Sequence, residues 1–73
     1  MRYIEVDIKV KPLEPCRDLL VYALGDEGGY ESFQETSEGV KAYIAADQYD
    51  EAELRRALDE NCPEYSFHAE EMP

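Results

Sequence analysis

Residues 2–10, RYIEVDIKV, decide the fold, because apolar and polar side chains alternate along them one by one. Successive side chains of an extended chain point to opposite faces, so Ile4, Val6, Ile8 and Val10 fall on one side. Alternation of this kind is typical of a strand with one buried face and one face in water. We therefore predict a half-buried strand over residues 2–10.

A helix is predicted after this strand. Residues 11–15, KPLEP, interrupt the alternation, since prolines cannot donate ladder hydrogen bonds and Pro15 suits the first turn of a helix. We place the helix at residues 15–27, where Gly28 and Gly29 end it by accepting the left-handed backbone of a C-terminal cap. Its buried stripe is predicted from helical spacing to be Cys16, Leu19, Leu20, Ala23 and Leu24.

A β-hairpin comes next in the predicted order. Residues 30–36 and 40–45 are rich in strand-forming side chains and are separated by a short turn that contains glycine. In the first of these strands Phe33 is flanked by Glu31 and Glu35 on its own side. The alternation therefore leaves open which face of this strand points inward.

The second helix has the strongest local signature in the chain. Asp50 is placed to cap the backbone amide of Glu53, whose side chain is placed to reach back to Asp50, while Tyr49 is placed to pack onto Leu54. This pattern is a capping box with a hydrophobic staple. The helix is predicted to end before Pro63, and its inner stripe is predicted to be Leu54, Ala57, Leu58 and Cys62.

Residues 65–70 alternate again and form the last predicted strand. The resulting order, βαββαβ, is that of the ferredoxin-like split βαβ fold, an α+β architecture. It predicts a four-stranded antiparallel sheet in the order 4-1-3-2, with two helices on one face. The helices then run antiparallel, so Cys16 and Cys62 should lie at the same end of the domain, and we expect free thiols there.

Composition limits the function. The 73 residues suffice for a single domain, residues 1–73, with a small core. With 18 Asp and Glu against 7 Lys and Arg, the formal net charge is −11. This charge disfavours nucleic acid and anionic membranes, which bind clustered basic residues. It favours a basic protein partner through electrostatic steering, although acidity can also serve solubility alone.

Sites for chemistry are not predicted. Carboxylates on an exposed strand face are usually solvated, His68 has no evident second ligand, and neither cysteine has an adjacent base. The 4 glycines do not form a phosphate-binding loop. We expect no catalytic, cofactor or metal site. The chain also has no signal-peptide pattern and no apolar run near the roughly 20 residues that span a bilayer, so a cytoplasmic location is predicted.

The exposed face of the predicted sheet is the candidate site. It carries Tyr3, Glu5, Asp7, Lys9, Lys41, Tyr43, Ser66, His68 and Glu70. Sheets that bind RNA place aromatic among basic side chains, whereas here the aromatic side chains lie among acids, which fits a protein partner. Alternatively, Tyr3 and Tyr43 form a cross-strand pair that only stabilises the sheet. The predicted partner-binding residues are Tyr3, Glu5, Asp7, Tyr43, Glu31 and Glu35.

Four segments carry a resemblance to a known family: residues 3–6, YIEV; 29–35, GYESFQE; 40–44, VKAYI; and 49–51, YDE. Through them nearly the whole chain resembles the N-terminal domain of the ribosomal protein L-eleven methyltransferase (PrmA) family, especially its Bacteroidetes members. The most distinctive piece is the run of glycine, aromatic residue, glutamate, serine and phenylalanine.

The resemblance implies a ferredoxin-like domain that binds a basic ribosomal protein of the large subunit. A following Rossmann-type domain, absent from this chain, would bind S-adenosylmethionine and methylate lysines and the N-terminal amine. The chain alone is then expected to be a monomeric substrate-recognition domain, with no cofactor site, no direct nucleic-acid contact and no enzymatic activity of its own. The alternative is a free-standing ferredoxin-like regulatory or ligand-binding module that dimerises through its sheet.

Overall fold

The sheet is built in the predicted order. A computed structural model describes residues 2–73. Its elements are β1 (Tyr3–Lys11), α1 (Leu13–Asp26), β2 (Ser32–Glu35), β3 (Gly39–Ala45), a 3-10 helix (Ala46–Gln48), α2 (Glu51–Asn61) and β4 (Glu64–Met72). The four antiparallel strands follow the order β2-β3-β1-β4, which is the predicted order counted from the other edge. The α+β ferredoxin-like fold is thereby confirmed.

β1 occupies the centre of the sheet between β3 and β4. Its inward side chains Val6, Ile8 and Val10 are buried, as the alternation predicts. Gly39, opposite Lys9 at the start of β3, is required by the close approach of the two strands, because a Cβ atom there would collide with the carbonyl oxygen of Ile8. β1 therefore contributes buried side chains to the core on one face of the sheet and polar side chains to the other face.

α1 begins its regular turns at the predicted residue and ends at Asp26, one residue before the predicted end, but its buried stripe is narrower than predicted. Glu14 has extended backbone angles (φ −112°, ψ 136°), so regular helical turns begin at Pro15. Cys16, Leu20 and Leu24 are buried at intervals of four residues. Leu19 is 45% exposed, so its assignment to the buried stripe is wrong. It lies about 100° round the helix from Leu20, on the side away from Val21, which packs against the core.

α2 forms around the predicted cap. The Asp50 carboxylate accepts hydrogen bonds from the backbone N–H groups of Ala52 (2.9 Å) and Glu53 (3.2 Å). The bonds found in residues 2–73 do not include the return contact from the Glu53 side chain, so one half of the capping box is present. Leu54 and Leu58 are buried, and Tyr49 packs against the core.

β2 shows which of its sides faces the helices. In register, Phe33 pairs with Ala42 and Glu35 pairs with Val40. Residues in register share a face of the sheet, and Ala42 and Val40 are buried under the helices. Phe33 therefore joins the edge of the core, while Glu35 lies on the helix side, where its carboxylate is 3.7 Å from Nε of Arg17.

The two cysteines meet at one end of the helices, as the topology predicts. Cys16 and Cys62 are both buried free thiols. Burial raises the pKa of Cys62 to about 12, and a hydrogen bond with Cys16 adds to the shift. The Cys62 thiol therefore stays protonated at physiological pH.

Candidate functional site

The side of the sheet that faces away from the helices is called the open face below. Its side chains are Ser32 and Gln34 of β2, Lys41 and Tyr43 of β3, Tyr3, Glu5, Asp7 and Lys9 of β1, and Ser66, His68 and Glu70 of β4. Every residue that the alternation assigned to this face lies on it. The site follows from the two-residue period of β1, which sends each polar side chain away from the core.

Tyr43 is at the centre of the hydrogen bonding on this face. Its hydroxyl donates to a carboxylate oxygen of Glu5 at 3.1 Å, and the side-chain oxygen of Gln34 lies 3.4 Å away as an alternative acceptor. Partial desolvation and the bond to Glu5 both raise the pKa of Tyr43. The phenol therefore stays protonated and fixes the Glu5 carboxylate in place across the strands.

Tyr3, which is the next open-face residue of β1 beyond Glu5, makes the same kind of contact. Its hydroxyl donates to a carboxylate oxygen of Glu31 at 3.3 Å. The negative charge of Glu31 is the main cause that raises the pKa of Tyr3. Because Tyr3 is opposite Ala45 while Tyr43 is opposite Glu5, the two tyrosines are not a directly facing pair. Each of them instead holds a carboxylate.

The acids of the open face are not fully balanced by its bases. Glu5 stands directly opposite Glu70 across β1 and β4, an arrangement of like charges that destabilises a sheet. Asp7, by contrast, lies opposite the positively charged Lys41 on β3 and opposite His68 on β4. The Glu5 end of the face is thus the end that a positive group would stabilise.

A shallow depression of about 420 Å³ opens at that end. Its walls are Tyr3, Glu31, Ser32, Tyr43, Met72 and Pro73. Met72 is 38% exposed there, so the depression combines apolar surface with two phenols and a carboxylate. Aromatic side chains beside a polar rim are typical of the centres of protein interfaces.

Five of the six predicted partner-binding residues surround this end of the open face, and Glu35 does not. Hydrogen bonds join Tyr3 to Glu31 and Tyr43 to Glu5. Asp7 is the next residue after Glu5 on the same face of β1. Glu35 lies on the helix side beside Arg17. The sheet therefore separates it from the rest of the predicted site.

A wider cavity of about 790 Å³ lies at the other end of the sheet. Its lining includes Lys9, Lys11, Glu38 and Glu64, and Lys9 is already paired with Glu38 at 3.3 Å. Because positive and negative groups are mixed there, this cavity has no clear electrostatic preference for a ligand.

The described residues include neither a cluster of metal ligands nor a helix that could span a membrane. In the part of the chain that the structure describes, no group of three or more His, Cys, Asp or Glu side chains is arranged to hold a metal ion. No helix within residues 2–73 has both the length and the apolar character needed to cross a bilayer. His68 points outward from β4 and is exposed.

Sequence reasoning missed three residues. Gln34 is not among the predicted residues because the alternation leaves open which face of its strand points inward. Met72 is not among them because the last predicted strand ends at residue 70, whereas β4 continues to Met72. Tyr30 was read as the start of a strand, but it is buried beside the end of α1, where its backbone N–H donates to the carbonyl oxygen of Leu24 at 3.2 Å. An aromatic residue directly after two glycines was the available signal for such a fold-back.

Similarity to characterised proteins agrees with the resemblance seen in the sequence. The chain is 38% identical over 58 residues to "Ribosomal protein L11 methyltransferase" of Phocaeicola vulgatus. The match covers 80% of this chain and 21% of that protein, so the chain spans about a fifth of the length of the curated relative. This supports relatedness to that methyltransferase family. No protein-family model matches the chain.

Proposed function

We propose that this chain is the substrate-recognition domain of an S-adenosylmethionine-dependent ribosomal protein lysine methyltransferase, and that it corresponds to the N-terminal domain of that family. It binds a basic ribosomal protein of the large subunit through the open face and presents it to a separate catalytic domain. S-adenosylmethionine would be bound by that separate domain, and the present chain would have no methyltransferase activity alone. The relative's name supplies the substrate class in this proposal.

One observation carries the proposal: two tyrosine hydroxyls hold two carboxylates beside a shallow depression on the open face. Held carboxylates lose less conformational entropy when a cation binds them than free ones do. The net charge of −11 adds long-range attraction for a basic partner. The unbalanced pair of Glu5 and Glu70 gives that partner a favoured end of the sheet.

The test measures binding of the chain to the ribosomal protein named in the relative, by fluorescence anisotropy at increasing salt. We expect weak binding that falls as salt rises, because the attraction is electrostatic. Replacing Glu5 and Glu31 together by glutamine should weaken binding by roughly tenfold, since each lost charge pair is worth up to about 1 kcal/mol. The matched control replaces Asp18 and Asp26 of α1, both exposed, by asparagine.

The control has the same change in net charge, so equal weakening in both variants would mean that charge alone acts and that the open face is not the site. Tight binding of S-adenosylmethionine to this chain would contradict the assignment of the cofactor to another domain.

A dimer formed through the sheet is the alternative. β4 is an outer strand of nine residues, and a second copy could in principle extend the sheet along it. Glu64, Glu70 and Glu71 lie on this strand, so an antiparallel copy would bring further carboxylates to an already acidic edge. We therefore expect a monomer by sedimentation, and a stable dimer would favour the regulatory module instead.

A further inference from the structure

The two outer strands of the sheet differ in how well their free edges are protected. Natural sheets protect an outer strand by keeping it short, by placing Lys or Pro on it, by a bulge or by a covering segment. β2 is short, with four residues, whereas β4 has nine. β4 contains neither Lys nor Pro, and its register with β1 is continuous from Glu64 to Met72. The outer edge of β4 therefore lacks these protections.

The register decides which backbone groups of β4 point outward. The N–H of Val10 donates to the carbonyl oxygen of Glu38 at 3.0 Å, so Val10 and every second residue of β1 before it bond toward β3. The residues of β1 between them bond toward β4, to partners that include Ser66, His68 and Glu70. Alternate residues of β4 thus direct both N–H and C=O away from the sheet, and these groups form no backbone hydrogen bond within residues 2–73. The residues concerned are Tyr65, Phe67, Ala69 and Glu71.

The helix side of β4 has a half-buried apolar border. Tyr65, Phe67 and Ala69 are partly buried and pack against the core. α2 holds two of these side chains. The Tyr65 hydroxyl donates to Asp59 at 2.6 Å, and the guanidinium carbon of Arg55 lies 5.0 Å from the centre of the Phe67 ring. A strand added beside β4 would place its own side chains on this border and remove more apolar surface from water.

The charges of β4 favour a positive neighbour. Its charged residues, apart from a histidine, are three glutamates, Glu64, Glu70 and Glu71. Glu71 is paired with Arg2 at 3.2 Å. Glu70 stands opposite Glu5, and neither of these two carboxylates takes part in the ion pairs of residues 2–73. A basic side chain next to Glu70 on an added strand would offset this pair of like charges.

From this arrangement we infer that the outer edge of β4 binds an extended segment of a basic protein as a fifth, antiparallel strand. The segment alternates apolar and basic side chains. Its apolar residues lie opposite Phe67 and Ala69 on the helix side and exchange backbone hydrogen bonds with them. Its basic residues lie on the open-face side, one of them opposite Glu70. Only the identification of the basic protein as a ribosomal protein rests on the proposed function.

A basic segment fits this edge better than a second copy of the chain. Two paired β4 strands would bring three glutamates from each copy, and no Lys or Arg, to one ladder. The antiparallel direction continues a sheet whose existing pairs are all antiparallel. In that direction, residues that face each other across a bonded pair exchange both hydrogen bonds and share a face of the sheet. The N–H groups that reach β4 are therefore those of the apolar residues of the segment.

The test uses the whole chain and a probe peptide of alternating lysine and valine, about eight residues long to match the strand. Titration followed by amide chemical shifts should move the resonances of Phe67, Ala69 and Glu71 more than those of α1, with a dissociation constant in the millimolar range. Binding should weaken as salt rises, because the attraction is partly electrostatic. A peptide of alternating glutamate and valine should not bind, and equal binding of the two peptides would contradict the basic character of the partner.

Two methylated peptides of identical composition test the strand pairing itself. Methylation of the valine N–H groups removes the donors that point toward β4, whereas methylation of the lysine N–H groups removes donors that point away from it. The first change should weaken binding by more than about tenfold, since several backbone hydrogen bonds are lost, and the second by less than about threefold. Equal losses, or a larger loss from lysine methylation, would overturn the inference.

Variants of the chain test the edge from the other side. Ala69→Pro removes an outward N–H and keeps the bonds between β4 and β1, so the fold should persist and peptide binding should weaken by about tenfold. Glu70→Gln should weaken it by about threefold or more, through loss of a surface charge pair. The matched control is Glu60→Gln, which makes the same change in net charge at an exposed position of α2, and it should change binding by less than about twofold. Equal effects of the two glutamine variants, or unchanged binding to Ala69→Pro, would contradict docking at this edge.

The outcomes distinguish this inference from the proposed function. If the ribosomal protein binds through the open face but the probe peptide does not bind and Ala69→Pro has no effect, the inference about the edge is wrong and the proposed function stands. If the peptide binds as expected and the ribosomal protein does not bind, the edge is a docking site and the proposed partner is wrong. If neither binds, both are refuted.

Discussion

The open face and the interhelical cavity, a space of about 150 Å³ between α1 and α2 lined by Leu24, Tyr30, Glu53 and Leu54 among others, combine tyrosines and carboxylates in different ways. On the open face, the Tyr43 hydroxyl donates to Glu5 and the Tyr3 hydroxyl donates to Glu31. Beside the interhelical cavity, the Tyr30 hydroxyl is buried with no hydrogen-bond partner among residues 2–73. The tyrosine hydroxyls of the open face are therefore arranged by internal contacts before any partner arrives, whereas the Tyr30 hydroxyl is left without such a contact.

Mutations in the two regions should therefore affect different properties of the protein. Side chains of the open face are exposed or half-buried and surround no core, so their loss should alter binding more than stability. The cavity shares Leu24 and Leu54 with the hydrophobic core, so changes there act on stability as well.

The largest effect is expected in the hydrophobic core under α2. Leu58 is fully buried at 0% exposure, and Leu58→Ala should lower the free energy of unfolding by about 2–5 kcal/mol through lost burial and a new void. A domain of this size has little more stability than that to lose. Urea denaturation measures the loss. Leu19→Ala, at a 45% exposed position, should cost under about 1 kcal/mol, and a similar loss in both would contradict the described packing.

Sequence alone predicted the open face because its pattern is local. The alternation of β1 fixes which side chains share a face, whatever the rest of the chain does. The cap of α2 was likewise predicted from Asp50 and its neighbours. Strand order then followed from the sequence of elements, since few topologies connect βαββαβ without crossings.

The interhelical cavity could not be predicted in the same way. Tyr30 is separated from Glu53 by 23 positions of sequence (53 − 30), and only the packing of α1 on α2 brings them together. The prediction that Leu19 is buried was wrong for a related reason. Helical spacing identifies an apolar stripe, but it does not determine how much of that stripe contacts the sheet. Tertiary packing decides both.

The second prediction concerns alkaline pH and the cavity. Burial raises the pKa of Tyr30 above its ordinary value of 10.0, so the folded state keeps a proton that the unfolded chain releases. Stability is then complete below pH 10 and falls as pH rises further, by about 1.4 kcal/mol at pH 11 for this one group. Unfolding of the wild-type chain and Tyr30→Phe at pH 8 and pH 11 should show the difference, and Tyr22→Phe is the control. An unchanged pH dependence in Tyr30→Phe would mean that its hydroxyl is not buried.

The third prediction concerns the helix start that borders the cavity. Asp50→Ala removes the acceptor of two backbone N–H groups and should lower the free energy of unfolding by about 1 kcal/mol. Asp50→Asn keeps an oxygen acceptor without the charge, so it should restore most of that loss. Thermal unfolding of the two variants measures this. Equal losses would assign the effect to the charge at the helix end instead of to the cap.

The smallest effect on stability is expected on the open face. Tyr43→Phe removes the hydroxyl that donates to Glu5 at 3.1 Å, and because that pair faces water the free energy of unfolding should change by less than about 0.5 kcal/mol. Binding of the basic ribosomal protein should weaken nonetheless, since the Glu5 carboxylate is no longer held in place. Urea denaturation and anisotropy on the same variant separate the two effects. If stability fell by more than about 1.5 kcal/mol, the upper value for one hydrogen bond, the tyrosine–carboxylate pairs would be structural parts of the sheet, and the contrast between the two regions would disappear.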